Sequence, residues 1–99
     1  MPEHPLKVFE RIDPEMLRHV EASRAFAFEG NALQKKFKYL LIMALDAAHG
    51  APQGVAANAR AAIEAGATKE EIAEALRITH FVSGTGSVYV SAHALENMF

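Results

Sequence analysis

Asp46 and His49 are the first residues in this 99-residue chain whose types and spacing suit chemistry. Three positions apart on a helix, they can face the same way, which is the spacing of a carboxylate orienting an imidazole or of two metal ligands. A second imidazole, His80, shares a helical stripe with Ile72 and Leu76 and is expected to face the core or an interface, while His93 lies among alanines further on. Convergence of His49, His80 and one carboxylate would suit a divalent ion such as zinc. Two ligands alone do not make a site, so no metal and no cofactor is assigned. Each group also has a plainer role. An imidazole at a helix C-terminus complements the helix dipole, which fits His49. For His80 the plainer reading, a hydrogen-bonded interior histidine, is preferred to a catalytic one.

Composition removes several classes of function. The chain has no cysteine, which excludes a disulfide framework, a thiolate metal site and peroxidase chemistry run on its own thiols. Ten Lys and Arg stand against twelve Asp and Glu, for a net charge of −2. The densest basic run, Lys35-Lys36-Phe37-Lys38, reads as the solvated edge of a helix, so nucleic acid is not an expected partner. The first fifteen residues, MPEHPLKVFERIDPE, intersperse charges and have no apolar centre, unlike a secretory signal. No uncharged run is long enough to span a membrane. The expectation is a cytoplasmic protein without a membrane partner. The apolar fraction of 51% is high for so short a chain, so part of that surface is expected to meet another subunit.

The elements that position these residues are helices. Ninety-nine residues suggest one domain, preceded over residues 1–12 by an apolar arm or single helical turn. Asp13-Pro14-Glu15 is a helix start, with Asp as N-cap and Pro at the first helical position, and predicts a helix to about Phe28 before Gly30. Asn31 is the expected cap for a helix from about Leu33 to His49. Its middle, Tyr39 to Leu45, is apolar on every side and must be surrounded, in part by a partner subunit; the helix-favouring Leu, Met and Ala argue against a strand there. Pro52 opens a third helix that Gly66 stops. Thr68-Lys69-Glu70-Glu71 is a capping box opening a fourth. Ser83 to Ser87 interrupts it, with Gly84-Thr85-Gly86 a helix break and not a phosphate loop, and Val88 to Met98 forms the last. The predicted fold is all-α, a bundle of about five main helices.

The run Leu-Leu-Ile-Met-Ala-Leu-Asp-Ala-Ala-His-Gly, ending at Gly50, followed by Ala62-x-x-x-Gly66-Ala67-Thr68-x-Glu70-Glu71-Ile72, resembles the carboxymuconolactone decarboxylase family, which includes the alkyl hydroperoxidase D-like proteins. The likeness covers roughly residues 33–95, including the Gly84-x-Gly86 break. It implies a helical protomer assembled into homo-oligomers, commonly trimers or hexamers. It also implies where chemistry sits: redox members carry Cys-x-x-Cys-x-x-x-His, and counting back from Gly66 puts those positions at Ala51, Gly54 and Asn58. An upstream glutamate that relays protons in such proteins falls near Tyr39. The decarboxylase branch, which does not need the cysteines, also usually has a histidine where Asn58 stands.

Neither catalytic set transfers, and thiol peroxidase activity is not expected. The candidate site is the junction of the second, third and fourth main helices. His49, His80 and Asn58 are its candidate catalytic groups, and Tyr39, Asp46, Ala51 and Gly54 its candidate binding positions for a small, partly apolar acid or lactone, with a histidine as general acid or base. The alternative is a non-catalytic oligomer that keeps the frame and has lost the chemistry, with Asn58 serving only to satisfy backbone groups.

Overall fold

Asp13 and Pro14 start the first long helix as their chemistry requires: Asp13 Oδ1 accepts the Met16 N–H at 3.0 Å. The computed structural model describes residues 4–99, so the first three residues of the expected arm lie outside the described residues. The contacts divide the chain into two compact units, one up to Ala32 and one from Leu33 to Phe99. The first holds a 3₁₀ turn, Pro5–Val8, a single-turn helix α1, Phe9–Ile12, and the helix α2, Pro14–Ala27. Its end is marked by Arg24 stacked 5.0 Å from the centre of the Phe28 ring.

The second unit is built from α3 (Lys35–His49), α4 (Pro52–Glu64), α5 (Lys69–Ser83) and α6 (Gly86–Leu95). Five helices therefore have ten residues or more, and no strand occurs among the described residues. Glycine closes α3 and α4 in the same way. Gly50 takes the left-handed conformation (φ 79°), letting the Ala51 N–H reach the Asp46 carbonyl at 2.8 Å and the Gly50 N–H the Ala47 carbonyl at 3.3 Å. Gly66 (φ 104°) lets Ala67 bond Ala62 at 2.8 Å. Both are glycine-closed helix ends of the Schellman kind. Thr68 and Glu71 form the reciprocal capping box, at 3.1 and 2.9 Å.

The core follows helical spacing: Leu40, Met43 and Ala47 of α3 pack with Val55, Ala59 and Ala62 of α4 and with Ala67 and Ile72. Alanines at 47, 59 and 62 let α3 and α4 approach closely, and this is the most extensive helix pair. Buried hydroxyls bond back along their own chain, Thr79 to the Ala75 carbonyl at 2.9 Å, Ser87 to Gly84 at 2.8 Å and Ser91 to Ser87 at 2.7 Å.

Three boundaries differ from expectation. Asn31 lies in a bend, and Gln34 occupies the N-cap of α3 without a side-chain bond. The last helix begins at Gly86 and ends at Leu95 rather than spanning Val88 to Met98. On α5, Thr79 is the buried residue and His80 is exposed, so His80 is not a core histidine in the protomer. The Tyr39–Leu45 stretch is also only partly enclosed, with Leu40 and Met43 buried but Leu41 and Leu45 51% and 58% exposed.

Candidate functional site

The closed turn at Gly50 folds α4 back along α3 and brings Asp46 against Asn58. Asn58 Nδ2 donates to Asp46 Oδ2 at 3.2 Å and to the Gly54 carbonyl at 2.9 Å. A primary amide has two N–H bonds, and both are taken within the protomer. Gly54 makes this possible. A Cβ there would lie 2.6 Å from the Asp46 Cγ, and its three nearest neighbours would all be atoms of the Asp46 carboxylate. Asp46 thus fills the space that a side chain at position 54 needs. Its main chain is engaged too, since its carbonyl accepts the Ala51 N–H that closes α3.

The remaining candidates do not join this cluster. His49 is exposed on the last residue of α3, one turn from Asp46 as expected, but no hydrogen bond or ion pair joins the two. His80 sits at the other end of α5, where its Nε2 lies 3.4 Å from Thr85 Oγ1 across the break into α6. Tyr39 is half-buried against the core. Ala51 is the N-cap of α4 and contributes no side-chain bond. Among the described residues, no group of three or more His, Asp or Glu side chains is placed to hold a metal ion.

Two features escaped sequence reasoning. One is the dependence of Asp46 on Gly54, signalled only by a glycine in the first turn of an Ala-rich helix. The other is a groove of about 580 Å³ between α3 and α5, walled by Phe37, Leu41 and Leu45 on one side and Ile78 and Val82 on the other. The spacing of four residues between these wall positions was its available signal. Asp46, Asn58, His49 and His80 do not line it. Its charged groups are the carboxylates Glu71 and Glu74, which disfavour a small acid there.

Glu71 is neutralised in place. Its Oε2 lies 3.0 Å from Lys36 Nζ, and its Oε1 accepts the Thr68 N–H of the capping box. The Thr68 N–H first, and the Lys36 ammonium second, hold its carboxyl below the usual glutamate range. This ion pair ties the start of α5 to the start of α3. It belongs to the frame and not to the Asp46–Asn58 cluster.

No helix among the described residues is long and apolar enough to cross a membrane. No curated protein and no solved structure matches the chain. A family description, the carboxymuconolactone decarboxylase family, matches residues 14–97, from the first long helix through the last. With that match spanning most of its length, and with the glycine-closed helices and the capping box that the resemblance rested on in place, the chain belongs to the carboxymuconolactone decarboxylase family.

Proposed function

We propose that this chain is a self-assembling member of its family without thiol peroxidase activity, in which the Asp46–Asn58–Gly54 cluster clasps α3 to α4 and does not react. The observation that carries this reading is the commitment of both Asn58 amide protons, one to Asp46 and one to the Gly54 carbonyl. An amide so engaged has no proton to offer a ligand, and the chain has no thiol to supply a nucleophile.

Self-assembly is supported by the second unit itself. Of its buried apolar residues only Leu40, Met43, Val55 and Ile72 are larger than alanine, whereas Leu41, Leu45, Ile78, Phe81, Val82 and Tyr89 are among the large apolar side chains more than half exposed. So much outward apolar surface is characteristic of a face covered by another subunit.

The test has two parts. Purified protein is incubated with alkyl hydroperoxides plus a dithiol, and separately with small lactone acids, and product is measured against a protein-free control. No product above that control is expected, and Asn58→Ala should lower the melting temperature. Turnover abolished by His49→Ala or His80→Ala would instead support the second reading. In it, a histidine acts as general acid or base on a small, partly apolar acid or lactone. Its specific support is the exposure of both imidazoles, which leaves them available to a site completed by another subunit.

A further inference from the structure

The α3–α5 groove is a trough with large side chains at its rims and smaller or buried ones beneath. Lys36 and Glu71 join the starts of the two helices, and Ala48 and Ser83 line the groove at their far ends, so α3 and α5 run parallel along it. Leu41, Leu45, Ile78 and Val82 stand exposed along the rims, whereas Ala44 and Ala75 are half-buried and Thr79 is buried. Its volume of about 580 Å³ is that of a small-molecule site.

The polar groups along the trough differ in what they still need. Glu71 is neutralised by Lys36 and bonded by the Thr68 N–H. The Thr79 hydroxyl is spent on the Ala75 carbonyl, and Ser83 is exposed to water at the far mouth. Glu74 lines the groove with no hydrogen bond or ion pair to its carboxylate among the described residues.

An occupant gains by covering the apolar walls, and the one charge it can balance there is that of Glu74. Glu74 and Ser83 are nine residues apart on α5, about 14 Å, so the apolar part is elongated and the charge sits at one end. A single unpaired carboxylate calls for one cation, not for the row of cations that a basic peptide carries. We infer that the groove binds a long-chain primary amine, its ammonium donating to Glu74 and its unbranched chain lying between α3 and α5 toward Ala48 and Ser83. This goes beyond the self-assembly reading, because Phe81 and Tyr89 lie outside the groove and remain for another subunit.

Isothermal titration calorimetry of the full chain with dodecylamine, below the concentration at which the amine forms micelles, tests it, with helix content followed by circular dichroism. Saturable binding is expected. Dodecanoate, with the same chain and the opposite head charge, should bind at least about tenfold more weakly. Glu74→Gln should weaken the amine about threefold to tenfold, leave dodecanol unchanged and strengthen dodecanoate. Glu70→Gln, on the same helix but outside the groove, should change each affinity by less than about twofold. Ala48→Phe fills the far end from an exposed position. It should weaken dodecylamine about tenfold and spare octylamine, whose shorter chain does not reach so far.

The inference is overturned if the wild-type chain binds no dodecylamine saturably, or binds dodecanoate as tightly. It is equally overturned if Glu74→Gln leaves the amine unchanged or weakens dodecanol as much, or if Ala48→Phe leaves dodecylamine unchanged. Heat accompanied by loss of helix content is denaturation by the amine and also counts against the site. Each of these results leaves self-assembly standing, which sedimentation velocity measures separately.

Discussion

Replacing Gly54 by alanine should destabilise this protein, although the same change inside a helix ordinarily stabilises it. Gly54 lies in the first turn of α4 and is not among the glycines with positive φ, so backbone freedom is not its purpose. Helix propensity alone favours alanine over glycine by about 1 kcal/mol. Against this, the new methyl group must displace the Asp46 carboxylate, whose Cγ would stand 2.6 Å from it. Displacement breaks the Asn58–Asp46 hydrogen bond, and a bond to a charged group contributes about 1.5–3 kcal/mol. The two terms leave a net loss of roughly 0.5–2 kcal/mol, or about 2–16 °C in melting temperature for a domain of this size.

Asp46→Ala provides the control. With the carboxylate gone, Gly54→Ala should revert to its ordinary sign and stabilise by about 0.5–1 kcal/mol. Thermal and urea unfolding followed at 222 nm, at one fixed protein concentration because association shifts apparent stability, measure all four proteins of the cycle. A Gly54→Ala variant that melts at or above the wild type while Asp46 is present would refute the reasoning.

Further outcomes follow from the same geometry. Asn58→Ala and Asp46→Ala should each cost about 1.5–3 kcal/mol, and together well short of the sum, because they remove the same bond; additive losses in urea unfolding would count against the clasp. Because folding lowers the Glu71 pKa, its stabilising contribution is full above the ordinary glutamate range and lost as pH falls through the folded value. Glu71→Gln should therefore flatten the acid limb of a stability–pH profile, and an unchanged limb would contradict this. Introducing Ala51→Cys, Gly54→Cys and Asn58→His together should yield an unstable protein without dithiol-dependent hydroperoxide reduction, since a side chain at 54 collides with Asp46. Adding Asp46→Ala should raise its melting temperature. Met43, with no exposed surface, should cost about 2–5 kcal/mol when truncated to alanine.

The helix ends were legible in the sequence wherever one residue's own chemistry determines them. Asp13 before Pro14, Gly50, Gly66 and the Thr68–Glu71 box act within a few positions, so reading along the chain is enough. The start of α3 was not, because Gln34 caps it through backbone alone while Asn31 offers a better side chain that the chain does not use. The core reading of His80 failed for a different reason. Residues 79 and 80 both border the stripe set by Ile72 and Leu76, and the buried one is the threonine, whose hydroxyl can return to the Ala75 carbonyl. The Asp46–Asn58 contact depends on how closely two helices approach, which the alanines at 47 and 59 set only once they are packed. The apolar excess was visible as a composition, and only the folded chain shows that much of it lines the α3–α5 groove.

The placement of Asp46 also bears on the order in which the molecule assembles. Its carbonyl holds the turn only five residues ahead and its carboxylate reaches only twelve residues ahead. Chain segments of that length meet within roughly 10–100 ns, and contacts so local in sequence speed folding. If the α3–α4 hairpin is the folding nucleus, substitutions at Asp46 or Asn58 should slow refolding more than they hasten unfolding, which stopped-flow folding and unfolding rates of the variants would measure. Asp46 would then act at the earliest stage of folding, before any surface is available to bind or react.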